Sequence, residues 1–256
     1  MTLLAEAPAG RHIAQFHRNS ESLTASVYTF VEGGLRRGDS VVVVATPELT
    51  DALTARLTQN KLYPDALSQA GKIGLLDAAQ LMAQAVPDGV PESRTFRDAI
   101  VPILSRVQPF ARGVRIFDEM GSMLWTAGSA DGAIRLEELW NALAKLYTFS
   151  LYCGYTLDML SEESYAGPLE EIGRAHSDIL GTEDDERFGV ALDRASKEIF
   201  GISLSQMVGI TKHDGTRRFP SAQRTMLWVK RNLPLTTSKL VERARRHFEE
   251  FSGGPQ

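Results

Sequence analysis

Two stretches of the chain carry residue types that could do phosphate chemistry. "GVRIFDEM" (113–120) ends an apolar run on Asp118-Glu119. At the end of a strand, such a pair can hold Mg²⁺ with one acid and activate water with the other. Alone the pair says little, because hydrophobic strands often end in an acid that faces solvent. The second stretch is "HIAQFHRNSES" (12–22), where a short strand leads through a turn into an amphipathic helix. A phosphate cradle at that turn needs glycines, so that several backbone N–H groups converge, and a lysine for the terminal phosphates. "HRNSES" has neither. It places Glu21 at the helix N-terminus, where a carboxylate satisfies the positive end of the helix dipole and repels a triphosphate. Arg18 is the one local cation. "AGKIG" and "FVEGGLRRG" lack the spacing of a cradle and lie on the wrong side of their strands. Nucleotide hydrolysis is therefore not expected, and no residue is assigned a catalytic role.

Other reaction classes find no better footing. His12, His17, His176, His213 and His247 show no HxH or HExxH spacing, and one cysteine cannot build a zinc knuckle. The expectation is no metal and no cofactor. No GxSxG elbow is present. Cys153 lies inside an apolar strand and reads as a buried, inert thiol. His12 and His17 are five apart on a strand, so they face opposite sides, and each reads as a satisfied structural histidine. Met120, Met123, Trp125 and Trp140 read as core or pocket wall.

The elements that must position these residues follow from periodicity. Residues 11–17 form a short strand. Asn19 or Ser20 can cap the next helix, in which Leu23, Val27, Phe30, Val31 and Leu35 make a core-facing stripe. Gly33-Gly34 and Gly38 are expected to break it. "SVVVVA" (40–45) is apolar on both faces, as in the centre of a parallel sheet. Thr46-Pro47 starts a helix that runs to about Gln59. Strands follow at 72–78, 113–120 and 149–155. Helices fall near 77–85, around Phe96 to Val107, and at 134–147, with "VPDGVPES" as a loop. This alternation predicts an α/β fold: a three-layer α/β/α arrangement with a mostly parallel sheet. Beyond residue 160 the expectation is a helical C-terminal extension, with helices near 162–181, 185–200, 221–232 and 236–251, a polar loop at 211–221, and no strand. Leu240, Ala244, Phe248 and Phe251 pattern the last helix.

Composition sets the outer bounds. The 256 residues are 43% hydrophobic and 23% charged, ordinary for a globular chain with a real core. No run approaches the roughly 18 apolar residues of a membrane span, and "MTLLAEAPAG" lacks the basic start of a signal peptide. With a single cysteine, a cytoplasmic location is expected. The net charge of −4 divides unevenly. Residues 1–186 hold 15 Lys+Arg against 26 Asp+Glu, a net of −11, and residues 187–256 hold 13 against 6, a net of +7. A basic tail can attract nucleic acid or dock on its own acidic body, and the second reading is preferred. Arg243, Arg245 and Arg246 point around their helix as a solvated face would, and no recognition helix is evident.

Several stretches together resemble one family. "HIAQFHRNSESL", "FVEGGLRRGDSVVVVATPE", "VRIFDEMGSMLWTAG", "LEELWNAL", "LYCGYTLDML" and "IGRAHSDIL", in this order over about residues 10–180, resemble the MEDS domain (methanogen/methylotroph sensory domain). The resemblance implies a RecA/KaiC-like sheet that has lost its phosphate loop, placed at residues 1–160; the residues themselves give the helical extension at 161–256, basic from 187. It implies a non-catalytic sensory module that binds a small organic molecule such as a hydrocarbon derivative. A regulatory protein of kinase or anti-sigma type is the expected partner, with no DNA, no membrane, and a homo-oligomer left open. Asp118 departs from the Gly-Glu-Met that family members often carry, whereas Glu119 and Met120 match. Ligands of parallel sheets sit outside the strand C-termini. The expected ligand-binding set is therefore His17, Arg18, Asn19, Ser20, Glu21, Thr46, Asp118, Glu119, Met120, Cys153 and Tyr155, with His12 further down its strand. The rival readings are an ATPase built on Asp118 and Glu119, and a transcriptional regulator acting through the basic tail.

Overall fold

The structure, a computed structural model, describes residues 2–107, 112–165, 169–206 and 219–252, with the side chains of 251 and 252 outside the description. Residues 211–218 of the expected polar loop and the Phe251 side chain thus lie outside the described residues. The described residues contain a six-stranded, all-parallel sheet: β1 (His12–His17), β2 (Ser40–Ala45), β3 (Ile73–Asp77), β4 (Val114–Asp118), β5 (Ser150–Thr156) and β6 (Asp178–Leu180), in the order β3-β2-β4-β5-β1-β6. Helices cover both faces, giving the three-layer α/β/α fold. The four valines of β2 are all buried, as its unbroken apolar run requires. Two compact units divide the chain. One takes in the residues up to Thr156 and returns for Ala175–Asp178; the other comprises Leu157–Arg174 and the residues from Ile179 onward.

In the first unit, α2 (Ser20–Arg37) covers one sheet face. The glycine pair expected to break α2 lies inside it. Gly34 is an approach point: a Cβ there would meet Arg115 Cδ at 2.7 Å and Val41 Cγ2 at 3.0 Å. The helix ends at Gly38, as expected of the third of these glycines, and its φ of 81° is the left-handed conformation of a C-cap. Buried Arg115 of β4 shows what the glycine makes room for. Its Nε donates to Asp39 at 2.9 Å, and its other nitrogens donate to the carbonyls of Ala5, Glu6 and Phe30 at 2.8–3.1 Å. That guanidinium pins the short helix α1 (Leu3–Glu6) and α2 onto the sheet. On the opposite face lie α5 (Ala78–Ala85), α6 (Ser93–Val107), α7 (Met120–Thr126) and α8 (Ala130–Ala144). The last of these starts four residues before the predicted helix at 134–147. Beyond the strand ends, α3 (Pro47–Gln59) starts on Thr46-Pro47 as expected, and the short α4 (Pro64–Gln69) leads into β3.

The single helix expected at 162–181 is replaced by a 3-10 turn (Glu163–Tyr165), a short helix α9 (Leu169–Ala175) and the edge strand β6. Three residues, "DIL", are too few to show strand alternation, so periodicity did not reveal β6. In the second unit α10 (Glu183–Phe200) opens with a Thr182/Asp185 capping box and closes on Gly201 at φ 73°. It packs with the helices Ser221–Asn232 and Thr237–Ser252. Phe188, Leu192, Met226, Leu240, Ala244 and Phe248 are buried there. Several cations of this unit face acids of the same unit: Arg231 with Glu170, Arg243 with Glu198, and Lys230 with Glu162. No helix among the described residues is long and apolar enough to cross a membrane.

Candidate functional site

A cleft of about 510 Å³ opens beyond the strand C-termini, between the start of α2 and the flank of α3. Leu23, Leu49, Ala52 and Ala55 supply apolar wall, and Ser20, Thr24, Thr46, Gln59 and Thr156 supply neutral polar groups. The charged lining is Glu21, Glu48 and Glu119 against Arg56, whose guanidinium also lies 5.2 Å from the centre of the Tyr28 ring. Glu119 is anchored: its carboxylate accepts the Thr46 N–H at 2.7 Å, tying β4 to the start of α3. Burial raises the Glu119 carboxyl above its usual range, against the opposing pull of the Thr46 hydrogen bonds. The α2 N-terminus is already capped, since the Asn19 side chain accepts the Ser22 N–H at 2.8 Å.

The second concentration of ionisable groups is buried between the sheet and α8. Side chains two apart on a strand share a face, so β1 and β5, in parallel register, bring His12, Cys153 and Tyr155 to the same side. There they meet Glu137 of α8 and His176 from the turn after α9. Glu137 Oε2 lies 3.0 Å from His12 Nε2, 3.6 Å from His176 Nε2 and 3.6 Å from Cys153 Sγ. Its other oxygen accepts the Tyr155 hydroxyl. Burial would raise the Glu137 carboxyl, but the His176 charge, the His12 hydrogen bond and charge, and the Tyr155 hydroxyl together hold it down at about 2. Burial pushes the Cys153 thiol well up, reinforced by the Glu137 and Asp118 charges. Asp118 shares this face. It accepts the Trp140 indole N–H at 2.9 Å and the Met120 N–H at 3.2 Å, and burial with the Glu137 charge pushes it up to about 7.

The residues expected at one pocket therefore fall into separate places. Ser20, Glu21, Thr46 and Glu119 line the cleft. Arg18 and Asn19 are exposed beside it, Asn19 acting as the cap. His12, Cys153, Tyr155, Asp118 and Met120 are buried. His17 is buried on the α2 face, with Nδ1 3.0 Å from Ser22 Oγ and Nε2 2.8 Å from the Tyr152 hydroxyl; burial lowers it to about 3. Sequence reasoning missed the α3 wall, whose Ala52 and Ala55 lie between buried Leu49, Leu53 and Leu57, with Gln59 at the helix end. It also missed Glu137 and His176, which no motif spacing links to His12. The strand-end rule could have pointed to α3; only the fold brings His176 to His12.

The architecture and its cleft define an open, parallel α/β/α domain whose first turn is closed by an asparagine cap rather than opened by glycines. The chain belongs to the MEDS family (MEthanogen/methylotroph, DcmR Sensory domain), whose profile matches residues 11–176. It is thus a sensory-domain protein, and the matched span takes in the first five strands and reaches the turn that carries His176. No curated protein matches the chain.

Proposed function

We propose that the chain is a non-catalytic sensor that takes a small neutral or cationic organic molecule into the cleft beyond its strand ends and signals to a regulatory protein of kinase or anti-sigma type. The observation that carries this reading is the cleft lining. Three carboxylates against one guanidinium, over an apolar wall, suit an alcohol- or amine-bearing molecule and disfavour a phosphate. The engagement of both acids at the end of β4 supports a non-catalytic role. Asp118 is buried under Trp140, and Glu119 is occupied by the Thr46 N–H. In the second unit, the pairing of Lys230 with Glu162 and of Arg231 with Glu170 supports self-docking of the tail rather than DNA binding.

The test is a thermal-shift panel on the full chain, setting small amines and alcohols against carboxylates and phosphates of similar size. Stabilisation by members of the first group alone is expected. Stabilisation by Mg-ATP or other phosphates, with none from amines or alcohols, would overturn the reading.

A further inference from the structure

We propose that His12, Glu137, Cys153 and His176 form a binding site for one divalent transition-metal ion of the zinc type. The site is separate from the ligand cleft and does not depend on how the cleft is read. It uses four side chains from three elements and one turn: β1, α8, β5 and the turn after α9.

Donor spacing is the first argument. The imidazole nitrogens, the Sγ and a carboxylate oxygen all lie within 4.8 Å of one another. Zinc bonds of about 2.0–2.1 Å to N or O and about 2.3 Å to S require donor–donor edges of about 3.3–3.7 Å in a tetrahedron. The separations of 3.0 Å for His12–Glu137, 3.4 Å for His12–Cys153, and 3.6 Å for both Cys153–Glu137 and His176–Glu137 fall on or close to those edges. A shared proton can bridge one pair of these atoms at a time. A central cation engages all four.

The surroundings fix the donors as a metal shell does. His12 Nδ1 donates to Asn141 Oδ1 at 3.0 Å, and Asn141 Nδ2 donates to the Ala175 carbonyl at 2.7 Å. The amide orientation is thereby set, so His12 Nδ1 carries a proton and Nε2 is the ring nitrogen that faces the Glu137 carboxylate. Nε2 can meet that carboxylate as an N–H donor or as a metal ligand, and only the second arrangement engages Cys153 and His176 at the same time. The same amide ties His12 to the residue preceding His176. The Ser177 N–H and hydroxyl, bonded to the His12 carbonyl at 2.8 and 3.0 Å, hold the turn against β1. Tyr155 orients Glu137 through its other oxygen. Such outer partners set ligand direction in protein metal sites. Two neutral imidazoles, a thiolate and a carboxylate around M²⁺ make a buried group of zero net charge, which leaves no unpaired ion in the core. Four protein donors close the coordination sphere, so the site is structural or regulatory rather than hydrolytic.

The experiment uses the full chain stripped with a chelator and titrated with Zn²⁺ or Co²⁺ alone. The expected result is one ion per chain. The Co²⁺ form should show the visible absorption of a tetrahedral site together with a thiolate-to-metal charge-transfer band. In Cys153→Ser that band should vanish and affinity should fall at least tenfold. X-ray absorption on the zinc-loaded wild type, which depends on no variant folding, should show one sulfur neighbour at about 2.3 Å. A sulfur-free ion, an affinity unchanged in Cys153→Ser, or no binding at micromolar metal would overturn the proposal in favour of a proton-shared network.

Discussion

Replacing His17 with glutamine tests whether the α2 face of the sheet is as dry as its hydrogen bonds imply. His17 is fully buried, held by Ser22 and Tyr152, and burial lowers it to about 3. In the unfolded chain it titrates near 6.5. Between those values the unfolded state binds a proton that the folded state refuses. Stability is therefore fully present above about pH 6.5 and falls as the pH drops towards about 3. At pH 5.0 the loss from this one group is about 2 kcal/mol, from RT ln(1 + 10^1.5). Glutamine stays neutral and can both donate to and accept from the two hydroxyls, so His17→Gln removes the loss while leaving the face packed. The assay is urea unfolding of both proteins at pH 7.5 and pH 5.0. Every other titrating group is common to the two, so the difference between their pH dependences isolates His17. The wild type should lose about 2 kcal/mol more than His17→Gln on acidification. Parallel losses would refute the reasoning and mean that His17 reaches solvent or a compensating charge.

Three further outcomes follow from the geometry. Arg115→Met leaves buried Asp39 with only the half-exposed Arg37 at 3.9 Å and frees the carbonyls of Ala5, Glu6 and Phe30, so urea unfolding should show a loss of about 3 kcal/mol. Gly34→Ala places a methyl against Arg115 and Val41, and thermal unfolding should register a cost of about 1–3 kcal/mol despite the better helix propensity of alanine. With the first turn capped by Asn19 and Asp118 under Trp140, the wild type should show no Mg-ATP turnover in a phosphate-release assay. Turnover that disappears in Glu119→Gln would instead establish an ATPase.

Local chemistry made much of the fold legible. Thr46-Pro47 set the start of α3, the unbroken valines marked β2, and alternation placed the five longer strands. The sequence misled where packing overrides propensity. Gly33-Gly34 reads as a helix break, yet tertiary contact with Arg115 requires a residue without a Cβ inside α2. β6 is too short to carry a period. The candidate sites were less legible for a geometric reason. Neighbouring residues on a strand face opposite layers, so the list of strand ends mixed cleft residues, such as Thr46 and Glu119, with core residues such as Asp118 and Cys153. The buried cluster joins His12 to His176 across nearly the whole first unit, with Glu137 contributed by an amphipathic helix whose pattern gave no sign of a buried acid. Only strand register and the turn after α9 bring these groups together.

A sensor of this kind must take its small organic ligand into the cleft beside α3. The most direct measurement is a calorimetric isotherm for the strongest binder of the amine and alcohol panel, in wild type and in Ala52→Trp. Ala52 is exposed and lines the cleft, so the indole fills space without disturbing the core. Affinity is predicted to fall at least tenfold in Ala52→Trp with the unfolding midpoint unchanged. An unaltered isotherm would place the ligand elsewhere and rule out the cleft as its site.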